Sequence, residues 1–277
     1  MVFKIVTDSS ADIMELENVD FAQVPLKIIT VDKEYVDNSD LDVAEMLTDL
    51  GSYKGRSSSS CPNVTDWLES FGDADCIFCV TITSGLSGSY NSAQMAAKEH
   101  MYNFPDKKVY VVDSLSTGPE SALIIEKLRE LILEGMPFDK IVDSIKSYQK
   151  RTHLIFALES LHNLANNGRV SPLVAKLAGV LDIRVIGKAS EEGTLEMTNK
   201  VRGAYKTLMS ILENMKKCGY EGGRLRIHHC ENVDGAKVLR GEVRKLFPAA
   251  DIKIRATRAL CSFYAERGGL LVGFEGV

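Results

Sequence analysis

The sequence predicts an α/β protein of two domains: an N-terminal three-layer α/β/α domain over 1–150 with a mainly parallel sheet, and a C-terminal two-layer α/β domain over 151–277 with a mixed sheet. Three observations carry this prediction. Short apolar runs alternate with longer amphipathic ones through the first half, at the spacing of βαβ units. The alternation ends in a helical pattern, "DKIVDSIKSYQ", and restarts in an apolar run, "RTHLIFAL", near residue 150. Beyond it, "LDIRVIGKASEEGTLEMTNKV" reads as two strands joined by a polar turn at 191–193, which is an antiparallel element.

In chain order, strands are expected at 3–7, 22–25, 27–31, 76–81 and 108–112, and helices at 41–50, 64–71, 90–100 and 120–134. Each strand is a run too short and too evenly apolar for a helix, bounded by polar or turn residues. Each helix carries apolar residues at three- and four-residue spacing. After the helix at 139–149, the second half adds the strand "RTHLIFAL" and the hairpin. A helix at 205–217, a strand at 224–229, a helix at 234–247 and strands at 252–255 and 270–274 complete it. The chain shows neither an internal repeat nor a low-complexity segment.

Composition narrows the classes. Of 277 residues 45% are apolar, ample for buried cores, and 33 Lys+Arg against 38 Asp+Glu give a net charge of −5 without a long basic run, which argues against a nucleic-acid partner. No stretch reaches the roughly 18 to 20 consecutive apolar residues that span a bilayer. The opening "MVFKIVTDSSADI" has acidic residues where a signal peptide is apolar, so a cytoplasmic chain without membrane insertion is expected. The six cysteines form no framework. Cys76 and Cys79 fall within one strand with their side chains on opposite faces, which suits reduced core thiols better than a zinc or redox pair.

The chemistry concentrates in polar loops. "VTITSGLSGSYNSA", residues 80–93, runs from a strand through a Gly/Ser loop into a helix, where unpaired N–H groups favour anions. A Walker A loop needs a Lys that is absent here, the dinucleotide G-x-G-x-x-G is missing, and "GLSGS" has Ser89 where a nucleophile elbow needs Gly. No histidine base can be assigned. What remains is a small anion held by hydroxyls and backbone N–H groups. A second serine loop, "GRSSSSCPN", precedes the helix at 64; there Ser60 or Asn63 could serve simply as the helix cap. In "NNGRVS", Arg169 could present its guanidinium to a carboxylate, or Gly168 could end a helix with Arg169 salt-bridged at the surface.

Taken together, "KIVTDSSADI", "VPLKI", "SSCPN", "ITSGLSGSYNSA", "VYVVDSLSTG", "LESLHNLANNGRVS" and "NKVRGAYKTL" resemble, in order and across essentially the whole chain, the DegV family of bacterial lipid-binding proteins. The resemblance implies a long-chain fatty acid lying between two α/β domains. It also implies a role as the fatty-acid-binding subunit of bacterial fatty acid kinase, feeding phospholipid metabolism. Such a subunit is not itself an enzyme and uses no cofactor; it presents the acyl carboxylate to a separate ATP-dependent kinase subunit and contacts membranes transiently at most.

Carried over by motif, Ser59 takes the place of the family's carboxylate-binding Thr and Ser87 that of its second contact. Ser60, Gly88 and Arg169 fall in the head-group region. Arg202 matches an arginine that faces either ligand or kinase. The C-terminus departs from the family pattern: Tyr264 stands for a histidine, and Arg184-Val185 for Lys-Pro. A phenol donates a hydrogen bond but does not titrate near neutrality. Ser59 and Ser87 can hold a carboxylate through O–H donors without a buried countercharge, while the acyl chain supplies most of the affinity. The stretches "LIIEKLRELIL", "PLVAKLAGVL" and "ALCSFYAERGGLLVGF" are the candidate tunnel walls, and Trp67 is expected to be a packing residue. A lipid-responsive regulator and an enzyme acting directly on an acyl substrate are the alternative readings.

Overall fold

The computed structural model of the chain describes residues 1–171 and 182–277. In the first half, β1 (Phe3–Asp8), β2 (Asp20–Val24), β3 (Lys27–Ile29), β4 (Glu34–Val36), β5 (Ser58–Ser60), β6 (Cys76–Thr81) and β7 (Lys108–Asp113) form two sheets. The larger has the order β2-β1-β6-β7 and is parallel throughout. The smaller, β4-β3-β5, is antiparallel.

Between these strands run α1 (Val43–Ser52), α2 (Val64–Phe71), α3 (Ser89–Asn103), α4 (Gly118–Leu133) and α5 (Phe138–Gln149). Strand side chains alternate, so the parallel sheet has two buried faces. On one, Val6, Ile77 and Cys79 meet Trp67 and Phe71 of α2 and Ala93, Ala96 and Ala97 of α3. On the other, Ile5, Cys76 and Phe78 meet Ile124 and Leu128 of α4 and Phe138 and Ile141 of α5. Cys76 and Cys79 therefore lie on opposite faces as free thiols, both pushed up in pKa by burial.

In the second half, β8 (Thr152–Leu158), β9 (Ile183–Ala189), β10 (Leu195–Arg202), β11 (Arg224–His229), β12 (Asp251–Ala256) and β13 (Leu270–Glu275) form one sheet in the order β10-β9-β8-β13-β11-β12. Only β11 and β12 pair in parallel, so the sheet is mixed. Among the described residues the helices are α6 (His162–Asn166), α7 (Ala204–Lys217), α8 (Val233–Leu246) and α9 (Ala259–Ala265). One face of the sheet, with Ile155, Ala157, Val272 and Phe274, packs under Ile211 and Leu212 of α7 and Leu239 of α8. The other face turns Leu154, Phe156, Leu158 and Leu271 toward α9 and toward Leu26, Ile28, Met46 and Ile82 of the first half. That shared core contains the cavity described below.

The parallel sheet ends at Asp113 and the mixed sheet begins at Thr152, so a cut at 150 separates the sheets. It does not separate the packing, because α4 touches both. At Gly273 of β13 a Cβ would lie 2.5 Å from the carbonyl carbon of Pro119, so only glycine lets the first turn of α4 sit on that strand. The serine run at 58–60, expected as a loop, is the edge strand β5, paired as Ile28↔Ser59. Neither β4 nor α9 is visible in the sequence pattern: β4 has three residues, and α9 is short and held by the distant Asp37. Among the described residues no helix is long and apolar enough to cross a membrane.

Glu120, in the first turn of α4, is buried against the mixed sheet and accepts a hydrogen bond from Thr152 Oγ1 at 2.9 Å. Burial pushes its carboxyl from 4.5 up to about 7. The folded state thus holds this proton more tightly than the unfolded chain, so its stabilising contribution is complete below pH 4.5 and is lost as pH rises to about 7. Glu120→Gln keeps the acceptor for Thr152 and removes the titration. We expect urea unfolding of the variant to be flatter across that window, with a gain of about 1–3 kcal/mol at pH 8.

Candidate functional site

The site is assembled where the strands of the two halves end. Asp8, the last residue of β1, is fully buried; burial pushes its carboxyl up in pKa and four donors oppose the shift. They are Ser10 N–H (3.2 Å), Ser10 Oγ (2.5 Å), Ile82 N–H (2.9 Å) and Ser89 Oγ (2.6 Å). One carboxylate thus ties the end of β1 to the end of β6 and to the first residue of α3, and fixes the loop between them. Thr83 secures the loop from the other side. Its Oγ1 donates to Gly193 O (2.8 Å), in the β9–β10 turn, and accepts from Gly85 N–H (3.0 Å). Gly193 has φ +72° and a Cβ there would fall 2.0 Å from Thr83 Oγ1, so the turn admits only glycine. At the end of this loop Ser87 Oγ accepts Ser89 N–H at 3.3 Å, leaving its own proton to donate.

Ser59 is placed by its strand pairing with β3. Of the two cap candidates, Ser60 and Asn63, the cap is Asn63, which forms a reciprocal capping box with Asp66 at the start of α2. Ser59 Oγ lies 2.7 Å from Tyr264 Oη. Tyr264 comes from α9, whose first two N–H groups, Ala259 and Leu260, donate to the two oxygens of Asp37 at 3.0 Å each. Burial pushes the Asp37 carboxyl up to about 6, while these two bonds favour the charged form. Just before α9, Arg258 N–H donates to Asp12 Oδ1 (2.6 Å), whose other oxygen lies 2.7 Å from His228 Nδ1.

The helix end expected at Gly168 is present, but without the surface salt bridge expected of Arg169. Gly168, at φ +72°, ends α6 with Gly168 N–H on Ala165 O (3.0 Å) and Arg169 N–H on Leu164 O (2.8 Å), a helix-terminating pattern. The side chain, however, is not at a surface salt bridge. Its Nη1 donates to Asn167 O (2.6 Å) and its Nε to Leu86 O (3.3 Å), and the guanidinium sits 5.7 Å from the centroid of the Tyr264 ring. Among the described residues no carboxylate pairs with it.

These groups border a cavity of about 290 Å³. Ser59, Ser60, Ser87, Gly88, Arg169 and Tyr264 are on its wall, with Tyr264 touching both Ser59 and Arg169, and the remainder is mostly apolar: Leu26, Ile82, Leu154, Phe156, Leu158, Leu195, Leu260 and Leu271. No histidine or carboxylate belongs to this wall among the described residues, so Ser87 has no base beside it. Ser59 and Tyr264 spend one proton on each other and keep one between them. Burial raises the Tyr264 phenol in pKa, so it remains a donor. Two unspent hydroxyl protons and one uncompensated cation at the edge of an apolar cavity suit an anionic group bearing a long apolar tail.

Of the candidate tunnel segments, "ALCSFYAERGGLLVGF" contributes Leu260, Cys261, Tyr264, Ala265 and Leu271 to the wall. The segment at 123–133 does not: its Ile124, Ile125, Leu128 and Leu131 belong to the core between α4 and the parallel sheet. The segment at 172–181 lies outside the described residues. Trp67 is buried core, as expected. Arg202, at the end of β10, is exposed and off the cavity wall. Arg184 pairs with Glu159 (2.6 Å) and Asp182 (3.2 Å), and Val185 is buried. The β8 residues Leu154, Phe156 and Leu158 were not anticipated on the wall. Their two-residue spacing marks a buried face, but not what faces it.

The family described as "uncharacterised protein, DegV family" matches residues 2–275. The chain belongs to the DegV family. A DegV family protein from Eubacterium eligens, solved loaded with heptadecanoic acid, is 45% identical over 100% of both chains with a TM-score of 0.98. The Fatty Acid Kinase (Fak) B3 protein of Streptococcus pneumoniae, solved loaded with linoleic acid, is 43% identical over 100% of both chains, again with a TM-score of 0.98. A DegV domain-containing protein of S. pneumoniae is 44% identical over 279 aligned residues, 99% of each chain.

Within this DegV protein, Asp37 has the clearest testable role. Asp37→Ala strands two buried N–H donors at the start of α9 and should lower stability by about 2–4 kcal/mol in urea unfolding. Amide exchange at Ala259 and Leu260 should accelerate, whereas exchange within α2 should change only as far as global stability does.

Proposed function

We propose that this protein binds a long-chain fatty acid in the cavity between its two halves. On this reading it is a cytoplasmic carrier that holds the carboxylate for phosphorylation by a separate ATP-dependent kinase subunit. The observation that carries the reading is the cluster of Ser59, Ser87, Tyr264 and Arg169 at an otherwise apolar cavity, with the Arg169 charge unpaired among the described residues. Two whole-length relatives solved with heptadecanoic acid and linoleic acid support it.

The chemistry divides by location. Burying the methylenes of a sixteen-carbon chain contributes about 0.8 kcal/mol each, roughly 10 kcal/mol before ordering costs, so the tail dominates affinity. The carboxylate accepts from Ser87 Oγ and from the hydroxyl of the Ser59–Tyr264 pair that keeps its proton, with Arg169 supplying charge. Such donors orient a carboxylate without attacking it. One carboxylate oxygen is thereby left for phosphoryl transfer on a docked kinase, and the carrier itself performs no bond-making step.

Denaturing mass spectrometry of the gently purified protein should reveal a co-purified fatty acid of about C14–C20; repeated absence of any lipid would contradict the reading. Replacing both Ser59 and Ser87 by Ala removes the Ser87 hydrogen bond to a charged group and leaves Tyr264 as the remaining donor of its pair. Fatty-acid affinity should fall about 10- to 100-fold, and acyl phosphate formation with a kinase subunit and ATP should fall further. Unchanged affinity and acyl phosphate yield would remove these serines from the site.

A further inference from the structure

The cavity adjoins a second space in the protein. Leu154 of β8 lies on its wall and also on the wall of a second cleft, of about 770 Å³, between the β7 edge of the parallel sheet and the strands β8 and β9 of the mixed one. The alternation along β8 makes the arrangement plain. Thr152, Leu154, Phe156 and Leu158 share one side of the strand; Leu158 and Phe156 face the cavity, Thr152 faces the cleft, and Leu154 touches both.

The same sequence of environments runs along the start of α4, where Thr117 is on the cavity wall and Glu120, three residues on, is on the cleft wall. Leu158 leads into the turn and helix α6 that carry Arg169, whereas Leu154 lies four residues back along the strand, about 13 Å from Leu158. The two spaces differ in chemistry. The cavity wall near Leu154 is apolar; the cleft beyond presents Glu120, Thr152, Lys146 and Lys188.

We propose that Leu154 is the end wall of the acyl site and sets the upper limit of chain length. This inference rests on the fatty-acid reading above. Each methylene added within the cavity gains about fourfold in affinity. A chain long enough to reach Leu154 has to displace this side chain, which is 2% exposed, and then lay its last carbons against the charged and hydroxyl groups of the cleft, where the gain is lost.

The test is a length series. Saturated fatty acids from C14 to C22 compete against a fluorescent fatty acid on the wild-type protein, Leu154→Ala and Leu154→Phe, with thermal unfolding as the check that each variant is folded. Wild-type affinity should rise with length and then break. L154A should move the break at least two carbons longer and improve the C20-to-C16 affinity ratio at least fivefold; L154F should move it shorter. If L154A does not fold, L154V carries the same expectation at smaller size. Identical length profiles in folded variants would overturn the end-wall role while leaving the fatty-acid reading intact. Failure of the wild-type protein to bind any member of the series would overturn both.

Discussion

Three carboxylates taken out of water, those of Asp8, Asp12 and Asp37, decide where the pieces of this site can lie. A buried carboxylate is acceptor-only and costly unless donors surround it. Here the donors belong to the segments that carry the head-group residues. Asp8 takes Ile82 N–H and Ser89 Oγ, which fixes the loop ending in Ser87. Asp12 and Asp37 take the N–H groups of Arg258, Ala259 and Leu260, which fixes the helix bearing Tyr264. Each such N–H left unsatisfied costs about 1–3 kcal/mol. An exposed ion pair such as Lys108–Asp139, at 3.1 Å, contributes about 0–1 kcal/mol. The buried acceptors, not the surface pairs, hold the site in register.

The cavity follows from the way the sheets meet. One face of the mixed sheet lies under the long helices α7 and α8; the other has only the short α6 and α9 and elements of the first half against it, and these cover it incompletely. The space left is lined by Leu, Ile and Phe, and the ends of β1 and β6 bring polar loops to its edge. This is the usual place for ligands in parallel α/β sheets, where chain connections diverge at the carboxyl ends of strands. Apolar volume and polar edge therefore have separate origins, one in sheet-on-sheet packing and the other in strand termini.

Much of this was legible in the letters. The parallel order of the first sheet, the hairpin at 191–193, the opposite facing of Cys76 and Cys79, and the helix end at Gly168 all depend on local pattern, and local pattern survives folding. What escaped depends on distant partners. Three serines in a row carry no apolar alternation, so β5 exists only because β3 offers an edge to pair with. The seven residues of α9 are too few to announce a helix, and their N-terminal donors are met by Asp37, 222 residues away in the chain. Tyr264 aligned with a family position in the sequence, but its contact with Ser59 spans 205 residues and no periodicity reveals it. The segment at 123–133 had the helical spacing of Leu and Ile expected of either a tunnel wall or a core, and the parallel sheet behind it made it core.

The most direct test of the account is the position of a bound fatty acid in a crystal structure of the palmitate-loaded protein. The carboxylate oxygens should lie within hydrogen-bond distance, about 2.5–3.2 Å, of Ser87 Oγ and of the Ser59–Tyr264 hydroxyl pair, with the terminal methyl directed toward Leu154. A carboxylate lying at the Leu154 end, or a chain bound outside the shared core, would contradict it.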